Sequence, residues 1–260
     1  MKERIDKASL PNQEAGSDTV IGRNPVLELL RSDREVEALF VDGGEKKGSI
    51  HKIVAMAKER GIPIKQVTPQ KFDAMSGRGN HQGVVALAAA HPYATLEDLF
   101  QACGEEPPFF VVADEIEDPH NLGALIRTAE AAGAHGLIIP KRRGVGLTAT
   151  VAKTSAGAVE HLPVVRVANL ASTLKELKER GLWIYGCDMQ GQTWCETDFR
   201  GPAAIVVGSE GFGMGRLVKE QCDFLVSMPM RGKVNSLNAS VAAGIILYEV
   251  TRQRLGLTAK

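Results

Sequence analysis

Ser227-Met-Pro-Met-Arg-Gly-Lys-Val-Asn-Ser-Leu-Asn-Ala-Ser-Val-Ala-Ala-Gly244 lies near the end of the chain and governs how the rest is read. Its first half is loop chemistry. Pro229 fixes φ and has no N–H, Gly232 opens unusual turns, and Asn235, Ser236 and Asn238 favour turns and helix caps. Its second half predicts a helix with a small face, Ala239, Ala242, Ala243 and Gly244, running into Ile245, Ile246, Leu247 and Tyr248. Glycine inside a helix costs about 1 kcal/mol against alanine, so Gly244 predicts that another segment packs very close. Alone, the stretch could be no more than a capped terminal helix. Two loops upstream have the same build.

The first follows Phe109-Phe-Val-Val-Ala113, a continuous apolar run that marks a strand buried on both faces. The acidic loop Asp114-Glu-Ile-Glu-Asp-Pro-His-Asn121 leads into a helix expected over residues 122–132, with Asn121 as its cap, and Gly136–Pro140 is the next strand. This is a βαβ unit. Lys141-Arg-Arg143 comes next, at the edge where open parallel sheets bind ligands, so Lys141 and Arg142 are candidate phosphate contacts. A helix over 148–158, a strand over 163–167, a helix over 170–180 and a strand over 182–187 are expected, then an irregular stretch over 188–200. The second loop, Gly208-Ser-Glu-Gly-Phe-Gly-Met-Gly215, follows the buried strand Ala203–Val207. The alternation predicts a parallel sheet wrapped by helices.

Residues 1–18 read as a polar tail, and 19–90 as a smaller α/β module. In that module Asn24 and Pro25 start a helix, 36–41 and 62–67 are strands, and 49–60 is an amphipathic helix. Thr68 starts a short helix carrying Phe72 and Met75. Ser76-Gly-Arg-Gly-Asn-His-Gln-Gly83 then feeds a strand over 84–89, and Arg78, Asn80, His81 and Gln82 could donate to phosphates or base edges. Residues 91–108 read as a connector with a short helix bearing Leu96, Leu99 and Phe100, ended by Pro107 and Pro108.

With 260 residues and a formal net charge of zero, the chain is long enough for two modest domains but has no basic excess to bind nucleic acid by bulk charge. Cys103, Cys187, Cys195 and Cys222 form no C-x-x-C and have no histidine at zinc spacing, which predicts reduced thiols, no metal and a cytoplasmic location. The longest apolar runs are too short to span a membrane.

The loop 208–215 is not a P-loop, because no Lys-Ser/Thr follows its glycines, and Glu210 would repel a pyrophosphate. A glycine-rich loop with a carboxylate and no nearby lysine suits a ligand with hydroxyls or positive charge, such as S-adenosylmethionine. Asp118-Pro-His-Asn-Leu-Gly-x-x-x-Arg127, Gly208-Ser-Glu-Gly211 and Asn235-Ser-Leu-Asn238 together resemble, in order and spacing, the three motifs of the SpoU/TrmH family of RNA ribose 2′-O-methyltransferases, within the SPOUT superfamily. The likeness spans residues 109–254. The N-terminal module, with Gly79-Asn-His-Gln-Gly83, resembles the ribosomal-protein-like substrate domain of the bacterial 23S rRNA guanosine 2′-O-methyltransferase branch.

The resemblance implies an α/β chain whose C-terminal parallel-sheet domain, 109–260, holds a deep trefoil knot and works as a homodimer, with active-site residues borrowed across the interface. It implies S-adenosylmethionine as cofactor and 23S rRNA as substrate. It puts the family's functional groups on Asn121, Arg127, Glu210, Ser236 and Asn238, and the cofactor on backbone at Gly208, Met228 and Leu237, with Pro229 shaping the bend. A guanidinium is too weak an acid to serve as a base at neutral pH, so Arg127 is assigned to phosphate binding and charge stabilisation. Ser236 is assigned to the substrate phosphate or Arg127, and Glu210 and Asn238 to shaping the site. The competing readings are a tRNA 2′-O-methyltransferase, a non-catalytic RNA-binding or ribosome assembly factor, and an oxidoreductase, the last disfavoured by the missing dinucleotide fingerprint.

Overall fold

The structure is a computed structural model that describes residues 17–42, 48–76, 81–233 and 236–258. The N-terminal unit runs β1 (Ser17–Ile21), α1 (Arg23–Arg31), β2 (Val36–Asp42), α2 (Ser49–Glu59), β3 (Ile64–Val67), α3 (Pro69–Ser76) and β4 (Val84–Ala89). Its sheet has the order β1-β4-β2-β3, with β4 antiparallel to both neighbours and β2 parallel to β3. Residues alternate across it. Val20, Leu39, Val41, Val84 and Ala86 pack with Val26, Leu29 and Ile53 of the first two helices, while Ile21, Phe40 and Val85 pack on Phe72 of α3.

Two expectations for this unit are corrected. Ser17 and Asp18 belong to β1, paired with Ala89 and Ala88, so the fold begins inside the stretch read as a tail. The first helix starts at Arg23 after Gly22, so Asn24 lies inside it and does not cap it.

The second unit begins inside the expected connector, with α4 (Leu96–Ala102). Thr95 and Asp98 form a capping box at its start, and Leu99 is fully buried against the second sheet. Then come β5 (Phe109–Ala113), α5 (Pro119–Ala131), β6 (Gly136–Pro140), α6 (Ala149–Thr154), β7 (Val164–Val167), α7 (Leu170–Glu179), β8 (Trp183–Thr193), β9 (Ala203–Val207), α8 (Arg216–Lys219), β10 (Phe224–Ser227) and α9 (Ala239–Arg254).

All six strands are parallel, in the order β10-β8-β9-β5-β6-β7. Phe109, Val111 and Ala113 face α5 and α9; Phe110 and Val112 face α4 and α7. This burial of both faces is why the strands read as unbroken apolar runs. Gly123 lets α5 meet α6, since a Cβ there would lie 1.8 Å from Thr154 Oγ1. Gly244 is different: a Cβ there would lie 3.4 Å from Thr128 Cγ2, an ordinary contact distance, so the very close packing expected at this glycine is not found between α9 and α5.

Another expectation fails at 188–200. The β8 strand runs on to Thr193, and a 3-10 turn, Trp194–Glu196, follows. The β10 strand pairs with it in two pieces, Phe224 and Leu225 with Tyr185 and Gly186, then Val226 and Ser227 with Gln192 and Thr193. Residues 187–191 are thereby looped out of the ladder as an extended bulge. Gly191 makes the return possible, because a Cβ there would fall 2.3 Å from the Leu225 carbonyl carbon.

A buried charge network joins the two units. The Arg34 guanidinium, 6% exposed, donates to Glu160 Oε1 (2.8 Å), Asp18 Oδ2 (2.6 Å) and the Ala89 carbonyl (2.7 Å). Ser32 Oγ donates to the other Glu160 oxygen. Because both partners are desolvated and saturated with hydrogen bonds, removing either would leave a buried charge uncompensated.

Candidate active site

A parallel sheet delivers all its strand-to-helix loops to one edge, and here the carboxyl ends of β5, β9 and β10 carry the three motif loops. Asp118, not Asn121, caps α5, accepting from the His120 N–H (2.9 Å) with Pro119 in the first turn. That corrects the expected cap and releases the Asn121 side chain. Asn121 Nδ2 donates to Glu210 Oε1 (3.1 Å) and its Oδ1 accepts from Asn238 Nδ2 (2.8 Å).

Glu210 Oε1 also accepts from Asn238 Nδ2, in a very short contact, and from the Ala239 N–H (3.2 Å). Asn238 keeps its capping role through its other atom. Its Oδ1 accepts from the Ser240 and Val241 N–H groups at 3.0 and 3.3 Å. One polar residue from each motif therefore meets the other two, and the carboxylate sits at the positive end of α9.

Beside this junction is a cleft of about 290 Å³. Gly208, Glu210, Met228, Ser236 and Leu237 line it, together with Cys187, Asp188 and Met189 from the bulge and Phe212 and Met230 from the loops. Gly208 is required by close approach, since a Cβ there would sit 2.2 Å from the Gly213 carbonyl carbon. Pro229 lies between two lining residues without lining the cleft itself. Among the described residues no lysine or arginine lines it.

The loop 208–215 is anchored from below. Buried Asp114 accepts the Gly215 N–H at 2.7 Å, and burial raises its carboxyl above the ordinary range against the pull of that hydrogen bond. Burial pushes the Asp188 carboxyl up, but Lys219 at 2.6 Å and the Gln190 N–H outweigh it, and the group ends below its usual value. Burial lifts the thiols of Cys187 and Cys222 to about 12, so neither is a thiolate nucleophile at neutral pH.

The other expected residues stand apart from the cleft. Arg127 is exposed on α5 and has no hydrogen-bond or ion-pair partner among the described residues. Lys141 and Arg142 are exposed at the end of β6, where the Lys141 N–H donates to the Val167 carbonyl. His81 stacks on Phe72 (4.6 Å between centroids), and its Nδ1 accepts the Gly83 N–H. Gln82 accepts from Arg23 through both its side-chain and main-chain oxygens. Arg78, Asn80 and Asn235 lie outside the described residues. The bulge residues and Phe212 were not expected at the site. Gly191 and Asp188 carried the usual signal of an interrupted strand.

The SpoU rRNA methylase family model matches residues 108–248, and a domain described as RNA 2′-O ribose methyltransferase substrate binding matches residues 19–94. The chain belongs to the SpoU rRNA methylase family. As a member it is an RNA methyltransferase, and the family's methyl donor is S-adenosylmethionine. A relative in Bacillus subtilis strain 168, YacO, assigned to the TrmH family of tRNA/rRNA methyltransferases, is 56% identical over 244 residues, which is 91% of this chain and 96% of that one.

The crystal structure of the SpoU methyltransferase AviRb from Streptomyces viridochromogenes with AdoMet superimposes with a TM-score of 0.79. It has 27% identity and covers 95% of this chain and 96% of its own. The A. aeolicus TrmH/SpoU tRNA modifying enzyme has 30% identity and a TM-score of 0.53, but covers only 62% of this chain and 83% of its own. Among the described residues no helix of this SpoU protein is long and apolar enough to cross a membrane.

Proposed function

We propose that this SpoU protein, in the cytoplasm, methylates the ribose 2′-hydroxyl of a guanosine in 23S rRNA, with S-adenosylmethionine held in the cleft between Gly208, Met228 and Leu237. The observation that carries the reading is the meeting of Asn121, Glu210 and Asn238 beside that cleft.

The lining fits the cofactor. Val207, Leu237, Ala239 and Ala242 offer apolar walls for an adenine, and Glu210 and Asp188 offer carboxylates to a cation. Bound there, the cofactor supplies a methyl group on a positively charged sulfur. Glu210 and the two asparagines lock the three loops into one geometry, so the cleft is shaped before substrate arrives. Ser236, exposed on the cleft wall, is assigned to the substrate phosphate or to Arg127. Arg127 holds a phosphate beside the target ribose and offsets charge as the hydroxyl proton leaves to a phosphate oxygen or water.

The likeness of residues 19–94 to a substrate-binding domain favours rRNA, since the tRNA modifying enzyme of A. aeolicus covers so much less of this chain. The guanosine rests on the N-terminal loop's resemblance alone. The trefoil knot belongs to the same reading and rests on the family resemblance.

So does a homodimer. Val241, Ile245 and Tyr248 form an exposed apolar stripe on α9 at helical spacing. Thr128, next to Arg127, packs on Gly244 of the same helix, so a second copy seated on the stripe would bring Arg127 toward the partner's cleft. A Tyr248→Arg variant is expected to sediment as a monomer and lose activity; a dimer that stays intact rejects this surface.

The deciding experiment is transfer of label from S-adenosylmethionine to purified 23S rRNA, 16S rRNA and tRNA, followed by digestion to nucleosides. Label in 2′-O-methylguanosine from 23S rRNA alone is the expected result. Label in tRNA would overturn the substrate, and no label in any RNA would overturn the activity.

A further inference from the structure

Phe212 is 92% exposed, an aromatic ring held almost wholly in water. Its position is not that of a slack loop. The Ser209 N–H donates to the Gly213 carbonyl (3.0 Å) and the Gly213 N–H donates back to the Ser209 carbonyl (2.9 Å), closing a tight turn of residues 210–212 that carries Phe212. Gly211 and Gly213 flank the ring at φ +86° and +67°, conformations that a side chain would strain. Below the turn, the Gly215 N–H is fixed on buried Asp114.

The ring stands at the mouth of the cleft, where Met189, 68% exposed, and Met230 also lie. Immediately after Met230 come Arg231 and Lys233, both exposed and without ion-pair partners among the described residues. An exposed aromatic face at a cleft whose neighbouring loop carries unpaired cations matches how proteins take up single-stranded nucleic acid, because every base has a π-face and every linkage a negative charge. A protein partner would be expected to bury the apolar rim without needing free cations.

We propose that Phe212 is a stacking platform for a nucleobase of the RNA substrate, with Met189 and Met230 closing around its edge and Arg231 and Lys233 holding the adjacent backbone. This rests on the methyltransferase reading and deepens it, by naming the group that orients the target nucleotide over the cleft. A base stacked on a fixed ring loses rotational freedom, and the ribose attached to it is presented to the cleft in fewer poses.

The test uses the full-length protein. Phe212→Trp puts a fluorescent platform in the turn, and wild type supplies the background from Trp183 and Trp194. It is titrated with a short mixed-sequence single-stranded RNA and, separately, with S-adenosylmethionine. The added fluorescence is expected to be quenched by RNA and not by cofactor. Phe212→Ala is expected to weaken RNA binding and raise its KM by roughly 5- to 100-fold, with the cofactor Kd held within about twofold. Phe212→Trp should keep the wild-type KM, and Phe212→Leu, apolar but without a π-face, should not.

Quenching by cofactor, with a weakened cofactor Kd in Phe212→Ala, would make the ring a cofactor cover and overturn the proposal. So would the absence of quenching at the highest RNA concentration, or a leucine as good as phenylalanine. None of these readouts except KM needs turnover. A wild-type protein that labels no RNA would instead count against the methyltransferase reading.

Discussion

Two glycine-rich polar loops look alike as sequence, Ser76-Gly-Arg-Gly-Asn-His-Gln-Gly83 and Gly208-Ser-Glu-Gly-Phe-Gly-Met-Gly215, and the fold uses them in opposite ways. In the described part of the first, the polar groups are turned inward. His81 lies on Phe72, and Gln82 receives Arg23, so both hold the loop to its own module. In the second, the carboxylate reaches two other loops, the backbone lines an open cleft, and the aromatic ring faces water. The difference is position. The second loop leaves the carboxyl end of a central parallel strand, where neighbouring loops converge; the first leads into β4, which runs antiparallel to its neighbours. Composition announces a loop, and topology decides whether its polar atoms have anything to meet.

The largest effect that can sharpen this contrast should come from Arg127, which belongs to neither loop. Its replacement by alanine is expected to lower methyl transfer by about 10³-fold while RNA affinity stays within a few-fold, as loss of a charge-stabilising donor does. Full activity in that variant would mean the second loop system works without it.

Gly208→Ala comes next. The added carbon must displace the Gly213 and Met214 backbone, 2.2 and 2.3 Å away, and S-adenosylmethionine binding measured by calorimetry should weaken by roughly 100-fold. A Kd within threefold of wild type would show that the loop is not as tightly built as described.

Gln82→Ala probes the other side of the comparison. It removes one acceptor for the Arg23 N–H and should cost about 1 kcal/mol of stability by urea unfolding, leaving cofactor Kd unchanged. If cofactor binding weakened while stability held, the first loop would have a part in the site after all.

The smallest effect concerns the anchor of the second loop. Burial raises the Asp114 carboxyl, so its contribution to stability is fully present below its unfolded pKa and is lost as pH rises through its folded one. Asp114→Asn should therefore gain on wild type as pH goes from 4 to 7 in paired urea titrations. A constant difference across that range would remove the titration from the account.

Much of the second unit was legible because its strands are buried on both faces. Phe109–Ala113, Ala203–Val207 and Phe224–Ser227 stand where their apolar runs ended. What failed did so where local signals competed. Asn121 looked like a cap, yet Asp118 before Pro119 is the stronger start, and it won. Ser17 and Asp18 are polar, and only pairing with Ala88 and Ala89 makes them strand. The stretch after Cys187 lacks apolar alternation because β10 holds it in two pieces with a bulge between.

Of the site, the three motif residues were readable from a shared pattern. Their mutual hydrogen bonds were not, since Asn121 and Asn238 are 117 positions apart. Phe212 had no periodicity to mark it, because its neighbours are glycines and its environment is water.

The two ends of the Asn238 side chain do different jobs. One oxygen starts the final helix, and the amide ties Asn121 and Glu210 together. The start of α9 is thus the element that closes the junction, 117 positions after Asn121. A chain cut before Asn238 keeps the Asn121–Glu210 pair in its sequence but loses the amide and the Ala239 N–H that hold that pair in place.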